Sequence, residues 1–124
     1  MFDKRVYKRY PFRWPVALVF DHGERRATFH GTTRELSMGG CSLLTDYNIY
    51  SSQPLTLLIS LPADNPLGRR QVLEMRVRMC YTLLAAGEDR FRCGIEFISF
   101  KGEGKQLLQE AIDKRIPQVP GARR

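Results

Sequence analysis

Apolar and polar residues alternate most regularly over residues 72–84. Leu73, Met75, Val77 and Met79 fall on one side there, and Glu74, Arg76 and Arg78 on the other. A period of two marks a strand with one buried face. Five other runs rich in β-branched, aromatic or aliphatic residues read as strands: 16–20, 25–36, 41–45, 55–61 and 91–97. Turn-forming residues separate them. Asp21-His22-Gly23 closes the first run, and Gly31 predicts a bulge or bend inside the second. Met38-Gly39-Gly40 predicts a tight turn in which the glycines supply positive φ. Residues 62–68 read as a loop and 86–89 as a hairpin turn. After residue 102 the period changes. Leu107, Leu108, Ala111, Ile112 and Ile116 recur at helical spacing, so residues 103–116 predict an amphipathic helix that Pro117 stops.

Six short strands and one terminal helix predict a mainly β fold, a six-stranded antiparallel β-barrel with a C-terminal α-helix. Closing the sheet removes its exposed edges, and the helix is expected to cover part of the barrel or one open end. Residues 1–13 read differently: Pro11 and Pro15 break any helix and bias the residues before them toward extended backbone. The expected organisation is a flexible basic arm at 1–13, a barrel with its helix at 14–116, and a disordered tail at 117–124.

Composition sharpens the picture at the arm. The 124-residue chain carries a net charge of +7. Residues 1–13 hold Lys4, Arg5, Lys8, Arg9 and Arg13 against Asp3 alone. A local excess of this kind favours anionic partners. Cys41, Cys80 and Cys93 form no C-x-x-C or Cys/His spacing, so neither a disulfide framework nor a zinc site is expected. Each sits in an apolar run, which predicts buried, reduced thiols and a cytoplasmic setting. The charged N-terminus does not resemble a signal peptide, and no apolar stretch is long enough to span a membrane.

Phosphate-binding glycine loops, metalloprotease motifs and nucleophile elbows are all missing from the sequence. His22 and His30 have no plausible nucleophile or ligand at useful spacing and read as solvated residues. No enzyme, metal or cofactor is expected. Two segments remain. Arg5-Val6-Tyr7-Lys8-Arg9 places two planar guanidinium forks four residues apart, able to grip phosphate and to stack on a base. Taken alone it also fits a solvated basic terminus. Glu35-Leu36-Ser37-Met38-Gly39-Gly40 places a carboxylate, a hydroxyl and a glycine turn at a strand end. A carboxylate can accept from the N1–H and amino edge of guanine, and hydroxyls and turn amides can meet phosphate or base edges. Taken alone it equally fits a plain glycine hairpin.

Together and in this order, the two segments resemble the signature of the PilZ family, R-x-x-x-R followed by [DN]-x-S-x-x-G. Arg5 and Arg9 match the first half, and Glu35, Ser37 and Gly40 occupy the second. The Ser37 to Cys41 turn and the Gly94-Ile95-Glu96-Phe97 strand before the helix also resemble family patterns, so the resemblance covers about residues 4–116. Glu35 departs from the usual Asp or Asn by one methylene, about 1.5 Å of reach.

The resemblance implies a bacterial receptor for the second messenger cyclic di-GMP, bound on the outside of the barrel. Arg5 and Arg9 would grip phosphate and guanine, Glu35 and Ser37 would hold a guanine edge, and Gly40 would permit close approach. The arm would be mobile alone and would wrap the ligand, passing the signal to an unidentified downstream protein by contact. Lys4, just before the first arginine, implies a stacked ligand dimer. Lys8, Arg34, Gly39 and Arg78 are secondary candidates. Two alternatives stand beside this reading. One is a PilZ-like interaction scaffold that does not bind nucleotide, for which Glu35 is the argument. The other is a β-barrel for single-stranded nucleic acid, against which Tyr7, Tyr10, Phe12 and Trp14 lie in or beside the arm rather than on a barrel face.

Overall fold

The computed structural model describes residues 7–22, 26–63 and 67–116. Six strands form, β1 Pro15–Phe20, β2 Ala27–Leu36, β3 Gly40–Thr45, β4 Leu55–Ser60, β5 Val72–Ala85 and β6 Arg90–Phe100, followed by one helix, α1 Gly104–Asp113. They close into an antiparallel barrel in the order β1-β2-β3-β6-β5-β4. The mainly β fold and the six-stranded barrel with a C-terminal helix are therefore as the pattern predicts. Among the described residues no helix is long and apolar enough to cross a membrane.

The alternation along β5 does what its period dictates. Leu73, Met75, Val77 and Met79 are buried while Glu74, Arg76 and Arg78 are exposed. Leu18, Leu43, Leu57, Ile59 and Cys93 complete the interior. Helix α1 packs against β5 and adds Leu108, Ala111 and Ile112 to the same core. Each fully buried aliphatic side chain of this kind contributes roughly 1.5–3 kcal/mol of transfer free energy. Outside the barrel, Arg76 reaches Asp21 on both carboxylate oxygens at 3.0 Å and Thr56 at 2.9 Å, tying β5, β4 and the end of β1 together.

Several local expectations change. Gly31 sits in regular pairing opposite Val16 and Thr45, and the irregularity of β2 falls between Thr33 and Glu35 instead. Glycine is needed at 31 for proximity: a Cβ there would lie 2.3 Å from the Leu44 carbonyl oxygen. Neither Gly39 nor Gly40 adopts positive φ, which occurs among described glycines at Gly87 and Gly102. Cys80 is exposed rather than buried, because it follows inward-facing Met79 on an alternating strand. Strand β6 continues past the expected residue 97 to Phe100, through an irregular register with β5 between Arg76 and Val77. The expected tail at 117–124 lies outside the described residues.

The segment before β1 is held along β2. Tyr10 and Leu36 exchange two backbone hydrogen bonds, each 2.8 Å. The buried Thr33 hydroxyl accepts from the Trp14 N–H at 2.8 Å and donates to the Phe12 carbonyl. The Thr33 N–H donates to the Trp14 carbonyl at 2.9 Å. One side chain thus satisfies backbone groups on both sides of Arg13. Thr33→Val keeps the shape and removes the hydroxyl, leaving a buried N–H unpaired; chemical denaturation is expected to show a loss of about 1–3 kcal/mol.

Candidate functional site

A turn between β2 and β3 builds one wall of an open groove. The Ser37 hydroxyl accepts from the amides of Gly39 at 3.1 Å and Gly40 at 3.2 Å. It also donates to the Gly40 carbonyl, and the Ser37 N–H donates to the same oxygen at 2.9 Å. In this arrangement Ser37 is buried and its hydroxyl organises the turn. Gly40 then crosses β6 closely: a Cβ would stand 2.3 Å from the Ile95 carbonyl oxygen. Gly39 is the seat of an aromatic ring, since its Cβ would fall 2.7 Å from a Tyr7 ring carbon. The two glycines are thus required by close approach to backbone and to ring.

The groove has a volume of about 510 Å³ and runs across the outer surface of β3, β6 and β5. It gathers Arg9, Arg34, Glu35, Ser37, Gly39 and Gly40, which the sequence singles out, from two separate segments. Arg5 and Lys4 lie outside the described residues. Lys8 does not line the groove; its ammonium sits 5.8 Å from the Tyr10 ring centroid. Arg78 borders the site through Glu96, to which it donates at 2.7 Å, and Glu96 is a lining residue. Of the arm expected at 1–13, residues 7–13 run beside β2, with Tyr7 against Gly39 and Tyr10 bridged to Leu36.

The charges in the groove are already arranged in pairs. Glu35 lies 3.8 Å from Arg9 and 4.0 Å from Arg34. Both contacts are half-exposed and long, so each holds its partner weakly.

Three lining residues carry no motif and were not expected. Tyr81 lays its ring over Gly94, where a Cβ would meet it at 2.1 Å, so the glycine makes room for the ring. Arg92 and Ser42 stand on adjacent strands, and the Arg92 Nε and Ser42 Oγ are buried without a hydrogen-bond partner. Buried polar atoms are nearly always satisfied, so these two stand out as exceptions beneath the groove. The sequence signal for these three was a strand with alternating character, and nothing in that pattern says which barrel face carries a groove.

The thiol chemistry is muted. Partial burial and the neighbouring Glu96 raise the Cys80 pKa, against the lowering effect of Arg78. Burial, with Cys93 nearby, pushes Cys41 far up. Burial also raises Cys93, opposed by the Thr82 hydroxyl. All three thiols stay protonated at neutral pH, which suits packing rather than nucleophilic attack. No group of described His, Cys, Asp and Glu residues is arranged to hold a metal ion.

A family model described as the PilZ domain matches residues 3–114. The chain is similar to the structure of the Bacillus subtilis inhibitor of motility MotI/DgrA, with a TM-score of 0.69 and 19% identity. That match covers 92% of this chain and 52% of the other, so the chain spans about half the length of that structure. It is also similar to a PilZ domain with c-di-GMP of YcgR from Escherichia coli, with a TM-score of 0.63, 12% identity, and 90% and 91% of the two chains covered. At these identities the likeness is one of fold. A comparison with curated proteins finds no match.

Gly40→Ala tests the close crossing. Its methyl meets a carbonyl oxygen of a barrel strand, so the strands must part. Thermal and denaturant unfolding are expected to show a loss of about 2 kcal/mol. Gly87→Ala, where a Cβ meets nothing within 4 Å, is expected to cost only the strain of positive φ, about 1 kcal/mol.

Proposed function

The chain belongs to the PilZ domain family, and from that premise we propose that its groove is a receptor site for cyclic di-GMP. One observation carries the reading: Arg9, Arg34, Glu35 and the Ser37–Gly40 turn, drawn from two distant segments, converge on one groove together with Arg92. The ligand offers two phosphates and two guanines. Guanidinium forks match phosphate oxygens and guanine acceptors, and the Glu35 carboxylate matches the donor edge of guanine.

In this proposal Arg9 leaves Glu35 for the ligand. Residues four apart on an extended chain face the same way, so Arg5 and Arg9 approach the ligand from one side of the arm. Ordering of the arm accompanies binding, and the reordered surface passes the signal to a downstream protein. Binding, with no catalysis, is the activity proposed. Lys4 before the first arginine leads us to propose a stacked ligand dimer. The c-di-GMP named with the YcgR domain and the inhibitor role named for MotI/DgrA support a receptor that acts through protein contacts.

A second reading has its own observation. Glu35 replaces the family's shorter residue and is engaged by two arginines, which fits a scaffold that does not bind nucleotide.

Calorimetry separates the two. The receptor reading expects binding heat at micromolar ligand and two ligands per chain. Arg5→Ala and Arg9→Ala are each expected to remove about 2 kcal/mol, roughly a 30-fold loss of affinity, as for a hydrogen bond to a charged group. No heat at excess ligand refutes the receptor reading. Glu35→Asp is expected to change affinity only modestly; binding that appears only in this variant favours the scaffold.

A further inference from the structure

The arm has two faces, and only one of them looks into the groove. Tyr7 and Arg9 line the groove. The intervening positions form a ladder on the other side. Tyr10 and Phe12 stack with ring centroids 5.4 Å apart and planes within 9°. Phe12 and Trp14 stack at 5.2 Å and 15°. Lys8 lies over Tyr10 at one end, and the Arg115 guanidinium lies 5.9 Å over Trp14 at the other. Only extended backbone aligns every second side chain in this way. Pro11 and Pro15 enforce it, fixing their own φ and biasing Tyr10 and Trp14.

Arg115 is itself fixed. Its guanidinium donates to the Ala111 carbonyl at 3.0 Å and to the Pro62 carbonyl at 3.4 Å. The first anchor belongs to the last turns of α1 and the second to the exit of β4. The ladder therefore joins the C-terminal helix to the residues that face the groove.

We propose that Arg115 is a positioning residue for the groove: by clamping Trp14 it sets the extended register of residues 10–14, holds Arg9 on the groove side, and so tunes ligand affinity from the far end of the arm. The affinity part of this rests on the receptor reading; the positioning of the arm does not. Coupling of this kind is reciprocal, so ligand in the groove also tightens the Trp14–Arg115 contact.

The sole tryptophan of the chain is Trp14, which provides a direct spectroscopic signal. Wild type, Arg115→Met and Arg115→Lys are titrated with cyclic di-GMP by calorimetry and by tryptophan emission. Methionine keeps most of the stem and loses the cation and its donors. It is expected to bind about 5-fold more weakly, in keeping with one cation–π contact, and to lose most of the ligand-induced change in Trp14 emission. Lysine, which keeps the cation, is expected to recover most of both. Val19→Ala, at a buried position of β1 paired with Thr28 and Thr56, lowers barrel stability away from the ladder and is expected to leave affinity unchanged. Equal affinity and equal emission change in wild type and Arg115→Met overturn the proposal. So does a Val19→Ala variant that loses as much affinity as Arg115→Met. If wild type binds no cyclic di-GMP, the receptor reading fails and amide hydrogen exchange of the free protein decides the positioning. The Tyr10 and Leu36 amides are expected to exchange about 5-fold faster in Arg115→Met; unchanged rates overturn it.

Discussion

The pairing of the segment before β1 with β2 is the constraint on which the site depends. Two backbone hydrogen bonds join Tyr10 to Leu36, and the Thr33 hydroxyl secures the chain on both sides of Arg13. Without them the first strand would still join its barrel through its own ladder with β2 and β4. The basic segment, however, would have no fixed course. With them, residues 7–9 are delivered to the rim of the groove beside the Ser37–Gly40 turn. The irregularity of β2 between Thr33 and Glu35 serves the same end. It lets Thr33 point inward to hold the arm while Glu35, two residues on, faces the groove.

The groove itself is a compromise between crowding and reach. Three glycines bring backbones and rings together on its walls: Gly40 against Ile95, Gly39 against Tyr7 and Gly94 against Tyr81. Arginines from three places, Arg9, Arg34 and Arg92, line the same groove. Glu35 stands between Arg9 and Arg34 and offsets their mutual repulsion, and Glu96 does the same for Arg78 at the border. The pairs are solvent-exposed and shallow, so they organise the charges without locking them.

Much of the fold was legible because its signals are local. The alternation of Leu73, Met75, Val77 and Met79 names a face wherever the strand goes. The helical stripe through Leu108, Ala111 and Ile112 needs no partner to be recognised. Motif residues such as Arg9 and Glu35 could be marked because their order and interval resemble a family pattern. What remained hidden is what depends on strands meeting. The meaning of Gly31, Gly39 and Gly40 is a distance to another strand or ring, and no single segment contains that distance. Arg92 and Tyr81 enter the groove through pairing of β6 with β3 and β5, which the sequence implies only once the barrel is closed. Cys80 was misplaced because its apolar neighbours outweighed its position in the alternation.

The two-sided arm has a consequence for how such a chain can change in length. Side chains on extended backbone alternate strictly, so inserting or deleting one residue between Arg9 and Trp14 exchanges the two faces. Trp14 is held by Thr33 and keeps its face, so Arg9 and the residues on its side of the change would turn away from the groove. A two-residue change would keep the faces but slide Arg9 by about 6.6 Å, beyond the reach of Glu35. The spacing between the basic segment and the first strand is therefore restricted both in parity and in count. Insertions and deletions will be absorbed elsewhere, in turns such as 86–89 between β5 and β6, which do not line the groove.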